Sequence, residues 1–377
     1  MKRHMSTFAG AMIVMGLVAG IGLMLRGYDV VYDITMSPPN LIEAKLQLMS
    51  LRDQVASLFV VHTQTRDPEI MRQFVERVRP GGVILMGDNI PPDAAMLSAI
   101  TGTIRGTTRY PRLVAIDQEG GTVSRLTDNQ PAGITLASLP PSSTHDAFAV
   151  RSQMLRSSGI TLNFGIVADT TNNPQSFIYR RVLGTTPTTA SERVRQALLG
   201  SREQTLTTLK HYPGHGAVVD NSHYGIPSSE IGESQLQGGA LLPFHSNFDL
   251  RPDMVMMGHL RFPTIDDAPA SLSRVWHDKL AEDYRGITIT DDMFMLGDSG
   301  EAAYTDPRQT AVMALQAGNT MLLYVTDNGG KTTIDPNELI DFVVARVNDG
   351  TLPRGLIEHN ARKVLSLQMK SYSLQNN

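Results

Sequence analysis

Cysteine is absent from this 377-residue chain. Disulfide staples, thiolate nucleophiles, thiolate–metal centres and cysteine-linked lipids are therefore excluded. Neither sign of charge is in large excess, with a formal net charge of −4 and no basic cluster, so no broad face could attract a phosphate backbone and no nucleic acid is expected as a partner. Tryptophan is nearly missing too. Trp276, just before a helical stretch, reads as packing rather than as a sugar platform. At 41% hydrophobic and 19% charged residues the composition is that of a folded chain, long enough for one barrel-sized domain or two smaller ones.

Long uncharged runs are also lacking, with one exception. Lys2-Arg3-His4 precedes the stretch from Met5 to Leu25, and Arg26 closes it. As a helix this run would be roughly 30 Å long, about the thickness of a bilayer core, and it has no polar face. It predicts a membrane signal whose basic leading end stays in the cytoplasm while the rest of the chain lies outside. Ala19, Gly20 and Gly22 leave cleavage open, which would make the product secreted, but no A-x-A site is evident and an uncleaved anchor is the preferred reading. Residues 1–26 are thus read as a signal-anchor or signal peptide. Residues 27–44, with Ser37-Pro38-Pro39-Asn40, read as a linker, 45–370 as the main domain and 371–377 as a tail.

Beyond the linker, short β-rich runs recur: Val55 to Val61, Gly82 to Met86, Leu113 to Ile116, Ile160 to Val167, Thr205 to Leu209, Met254 to Met257, Ile287 to Thr290 and Met321 to Val325. Stretches with helical spacing separate them, such as Pro68 to Val78, Thr189 to Leu198 and Pro307 to Ala317. Eight alternations predict an α/β fold of the TIM-type (β/α)8 class. An open doubly wound sheet would bring a glycine-rich turn after its first strand, and Val61-His62-Thr63-Gln64 is no such turn. The runs end in polar residues: Asp117-Gln118-Glu119-Gly120-Gly121, Asp169, Lys210-His211, Gly258-His259, Asp291-Asp292 and Thr326-Asp327. One such carboxylate could be a helix N-cap, but in a barrel all of them converge on one mouth.

The densest chemistry lies in Leu209-Lys210-His211-Tyr212-Pro213-Gly214-His215-Gly216, followed by Ser222-His223. Lys210 and His211 are expected where the strand gives way to a loop, because Pro213, Gly214 and Gly216 forbid regular structure. His211 and His215 are four apart, a zinc spacing on a helix, yet Pro213-Gly214 breaks that helix. A metal stays a runner-up, and no metal or cofactor is expected.

These residues resemble the single-barrel β-N-acetylglucosaminidases of glycoside hydrolase family 3. The resemblance runs from about Leu46 to Met369 and is carried by Gly81-Gly82-Val83-Ile84-Leu85, Ile116 to Gly121, the Lys210-to-Gly216 segment, Val255-Met256-Met257-Gly258-His259, Ser271-Leu272-Ser273, and Gly286 to Met293. It implies release of terminal β-linked N-acetylglucosamine from peptidoglycan fragments or related glycans, by a retaining route with a covalent glycosyl-aspartate. Asp291 would be the nucleophile. Asp117, Arg125, Arg181, Lys210 and His211 would hold sugar hydroxyls, with Arg180 the neighbouring alternative to Arg181. The family's acid/base is a histidine paired with aspartate two residues before it, which here places His223 as acid/base and Asn221 in the aspartate's position. That partner has lost its charge unless Asp220 takes its place. Thr122 stands where the family usually has arginine. A glycan-binding barrel with little turnover, or transfer to phosphate instead of water, are the rival expectations. The partner is an amino-sugar glycan, and the chain is expected to be a monomer attached to the membrane through its N-terminal helix.

Overall fold

The computed structural model describes residues 38–326 and 334–376. Residues 1–49 and 50–377 form separate compact units. The membrane signal expected over Met5 to Leu25 lies outside the described residues; within them, no helix is long and apolar enough to cross a membrane. Of the first unit the described part is a helix, Pro38–Leu48, which overlaps the stretch read as a linker to residue 44. Two prolines suit a first helical turn, where amide protons have no intrahelical partner, and the leucines, Glu43, Ala44 and Lys45 that follow are good helix formers.

In the second unit eight parallel strands close into a barrel in sequence order: β1 (Phe59–Val61), β2 (Gly82–Leu85), β3 (Leu113–Ile116), β4 (Leu162–Val167), β5 (Leu206–Tyr212), β6 (Met254–Met257), β7 (Ile287–Asp292) and β8 (Met321–Tyr324). Pairing of Val61 with Tyr324 closes β8 onto β1. The expected (β/α)8 barrel is the observed fold. Most of its strands are nearly continuous apolar runs because side chains inside the barrel and beneath the outer helices are both removed from water. Outer helices supply the second layer: Met71, Val75, Leu97, Ile100 and Ile104 pack on Val83, Leu85, Val114 and Ile116. On another side Trp276 is fully buried, edge-on to Tyr212 and Phe262, in agreement with the packing reading.

Helix starts follow local chemistry. Asp67-Pro68, Thr186-Pro187, Asp306-Pro307 and Asp335-Pro336 each pair a capping side chain with a proline in the first turn. Each cap satisfies amides that would otherwise lack partners, which stabilises a helix by about 1 kcal/mol.

Several boundaries differ from expectation. Leu51–Ala56 is helical, capped by Ser50 Oγ accepting from Asp53 N, so only the last three residues of the Val55-to-Val61 run are strand. β5 continues past Leu209 to Tyr212, since its neighbours go on pairing: Lys210 O accepts from Ala168 N and Tyr212 O from Gly258 N, after a register shift against β6. Lys210 and His211 are therefore on the strand's last residues and not in a loop. The final helix, Arg354–Asn376, runs through the boundary placed at residue 371, because no proline or glycine interrupts it there and Ser371 is still buried.

Candidate active site

The strands' C-terminal ends open into a cleft of about 890 Å³ lined by Asp117, Arg125, Arg181, Lys210, His211, His223 and Asp291. Seven of the eight residues singled out in the sequence thus meet at one mouth. Asn221 is not in the lining.

The floor is organised by a residue to which sequence reasoning assigned no role. Glu119, buried, accepts from Arg181 at 2.9 Å (Nε) and 2.7 Å (Nη2), and from Lys210 Nζ at 2.6 Å. Lys210 also donates to Asp117 Oδ1 at 2.8 Å. Burial alone would raise the Glu119 carboxyl, but the two cations outweigh it and hold it at about 2. Lys210, which burial would deprotonate, is instead held above its ordinary range by Asp117 and Glu119. The available signal was its place in the Asp117-to-Gly121 motif.

Arg181 Nη2 also donates to His211 Nε2 at 3.2 Å, and His211 Nδ1 lies 2.7 Å from Asp169 Oδ2. Arginine can only donate. Gripped from both sides by Arg181 and Asp169, the His211 ring presents a fixed face to the cleft. Asp169, fully buried, accepts in addition from the backbone amides of His211 and His215 and so fastens the end of β5 to the loop that follows. Beside it, Asn163 holds the Gln118 backbone through both Oδ1 and Nδ2, while Gln118 Oε1 accepts from Arg125 N at 2.8 Å and Leu126 N at 2.9 Å. That clamp sets the position of Arg125. Gly120 sits at φ +84°, and a Cβ there would lie 2.4 Å from Arg151 Nη2, which explains the glycine.

At the end of β7 the two aspartates are held differently. Asp291 Oδ1 accepts from Asp292 N at 2.8 Å. Burial pushes the Asp291 carboxyl up, but His211 and His259, the Asp292 amide and His223 more than offset this and keep it below the usual carboxylate range. Asp292 Oδ1 accepts from Phe294 N and Val325 N, yet burial dominates and raises its carboxyl to about 8. The two neighbouring carboxyls are therefore pushed in opposite directions, Asp291 down and Asp292 up. His259, whose imidazole burial lowers, supports the pair: Nε2 lies 2.8 Å from the Asp292 carbonyl oxygen and Nδ1 2.6 Å from Ser271 Oγ.

The loop after β5 carries His223. Gly216 packs so tightly that a Cβ would lie 1.9 Å from Thr170 O. His215 is buried, which lowers its imidazole to about 4, and its Nε2 lies 3.1 Å from Ser222 Oγ. Phe177 bridges inward and outward, its ring 5.6 Å from that of His215 and 6.0 Å, edge-on, from that of His223. His223 itself is exposed. Asn221 Oδ1 accepts from the His223 backbone amide at 3.0 Å, so it shapes the turn and leaves the ring alone. Among the described residues no carboxylate bonds the His223 ring, and Asp220 is exposed and makes no hydrogen bond or ion pair. Arg180 and Thr122 both reach the cleft rim. Among the described residues no three histidine, aspartate or glutamate side chains are grouped to hold a metal ion; His211 and His215 are engaged by Asp169 and Ser222 instead.

The chain has counterparts. The chain is 29% identical over 341 residues to the β-hexosaminidase LpqI of Mycobacterium tuberculosis, covering 85% of this chain and 83% of that protein. It is 30% identical over 289 residues to a β-hexosaminidase of Alkalilimnicola ehrlichii, covering 72% of this chain and 82% of the relative. The solved structure of M. tuberculosis LpqI superposes with a TM-score of 0.77 at 27% identity, across 89% of this chain and 97% of that one. Residues 50–367 match the glycosyl hydrolase family 3 N-terminal domain, and the chain belongs to that family.

Proposed function

We propose that this chain is a retaining β-N-acetylhexosaminidase acting on the non-reducing end of amino-sugar glycans, peptidoglycan fragments among them. The observation that carries the reading is the carboxylate of Asp291, kept low at the end of β7, in one cleft with Asp117, Arg125, Arg181, Lys210 and His211. A carboxylate kept unprotonated and held by one backbone amide is suited to attack an anomeric carbon. Asp291 forms a bond to that carbon as the glycosidic C–O bond breaks, and His223 gives its proton to the departing oxygen. Water then attacks the same carbon, its proton passes to His223, and Asp291 leaves. The floor of opposed charges offers both donors and acceptors to sugar hydroxyls, with Lys210 and Arg181 pre-positioned by Glu119. No cofactor enters the scheme. Export and membrane attachment rest on the uncharged run from Met5 to Leu25.

A barrel that binds glycans and turns them over slowly is the second reading, and the His223 ring without a carboxylate favours it. Release of a chromophore from an aryl β-N-acetylglucosaminide against the matching β-glucoside, by the chain and its Asp291→Ala variant, tests the proposal. Turnover of the amino sugar that falls by several orders of magnitude in the variant is expected; equal turnover of both sugars, or full activity in the variant, sinks it.

A further inference from the structure

The cleft is chemically divided. Its floor is charged, whereas the turn bearing His223 presents apolar surface outward: Tyr224 is 85% exposed and Val219 50% exposed, and Tyr224 lines the cleft. Tyr224 is the most exposed of the large hydrophobic side chains among the described residues, and its ring offers the cleft an apolar face with a polar tip. The turn beneath it is tied down. Tyr224 N donates to Asn221 O at 3.1 Å, His223 N to Asn221 Oδ1 at 3.0 Å, and Ser222 Oγ lies 3.1 Å from the buried His215. The neighbouring strand loop adds a second tether, with Phe177 N donating to Val219 O at 3.1 Å.

Position follows from chemistry. A general acid must reach the glycosidic oxygen, so it stands at the boundary between the sugar being removed and the group departing. We infer that Tyr224, the next residue along the exposed turn from His223, is a stacking platform for a pyranose ring in the leaving group, engaging the ring's C–H face. This rests on the reading of His223 as the acid. It selects an oligosaccharide, in which the departing group is a second sugar, over a simple alkyl glycoside.

The test compares the full chain with Tyr224→Ala and Tyr224→Trp on two substrates, a β-1,4 disaccharide of N-acetylglucosamine and methyl β-N-acetylglucosaminide. The ratio of kcat/KM, disaccharide over methyl glycoside, is expected to fall about threefold to tenfold in Tyr224→Ala, the range of a single aromatic contact, and to be restored in Tyr224→Trp. A ratio unchanged in Tyr224→Ala overturns the inference, as does one that Tyr224→Trp fails to restore. Calorimetric binding of the disaccharide and of N-acetylglucosamine in an Asp291→Asn background reads the same contact without turnover: the disaccharide Kd should weaken about threefold to tenfold on Tyr224→Ala, relative to that of the monosaccharide. An inert chain that shows this shift would defeat the hydrolase reading and keep the platform; an active chain without it would do the reverse.

Discussion

Replacing Glu119 by glutamine removes the one anion that both Arg181 and Lys210 share. The side chain keeps nearly the same shape, so the change is one of charge. Glu119 titrates at about 2 in the fold against an ordinary 4.5, which corresponds to about 3 kcal/mol favouring the folded state. At 4% exposure, solvent screening takes little from that figure, and the cost of orphaning a buried charge pair, about 3–5 kcal/mol, agrees with it. Asp117 still neutralises Lys210, so the lower end of that range is expected. For a domain of this size the loss is about 5 °C in Tm. The sign follows from the depressed carboxyl: its contribution is fully present above 4.5 and disappears as pH falls towards about 2. Urea unfolding of the parent and Glu119→Gln, at pH 7 and at steps down to pH 2, should show a gap of about 3 kcal/mol that closes over that interval. Because Arg181 and Lys210 lose their fixed positions, kcat/KM on an aryl N-acetylglucosaminide should fall about a hundredfold. A variant within about 0.5 kcal/mol of the parent at pH 7, or a gap that widens on acidification, would refute the reasoning.

Asn221→Asp should raise turnover of natural glycans about tenfold and that of activated aryl glycosides less, since one carboxylate oxygen can keep the bond to His223 N while the other turns to the ring. No gain there, combined with a crippling effect of Asp220→Ala, would make Asp220 the partner. The full chain should sediment with membranes, and the same chain without residues 1–26 should be recovered folded in the soluble fraction; intact full-length chain in the soluble cytoplasm would remove the anchor reading.

Much of this protein was legible without coordinates. The barrel follows from eight short apolar runs alternating with helical spacing, because period and length are local properties, and the capped helix starts at Asp67-Pro68 and Asp306-Pro307 are local too. Strand-end polar residues identified the mouth for the same reason: in a closed parallel barrel every strand's C-terminal end faces one way. What the sequence could not decide was pairing. Glu119 and Arg181 are 62 residues apart and His211 and Asp169 are 42 apart, and nothing local shows that they touch. The extension of β5 through Lys210 and His211 depended on hydrogen bonds offered by β4 and β6, and so on neighbours rather than on propensity. Likewise two adjacent, identical aspartates are shifted in opposite directions, Asp291 down and Asp292 up, because the imidazoles and amides around them differ. Residue types are written in the chain; charge states and contacts are set by which distant groups the closed barrel brings within hydrogen-bonding reach.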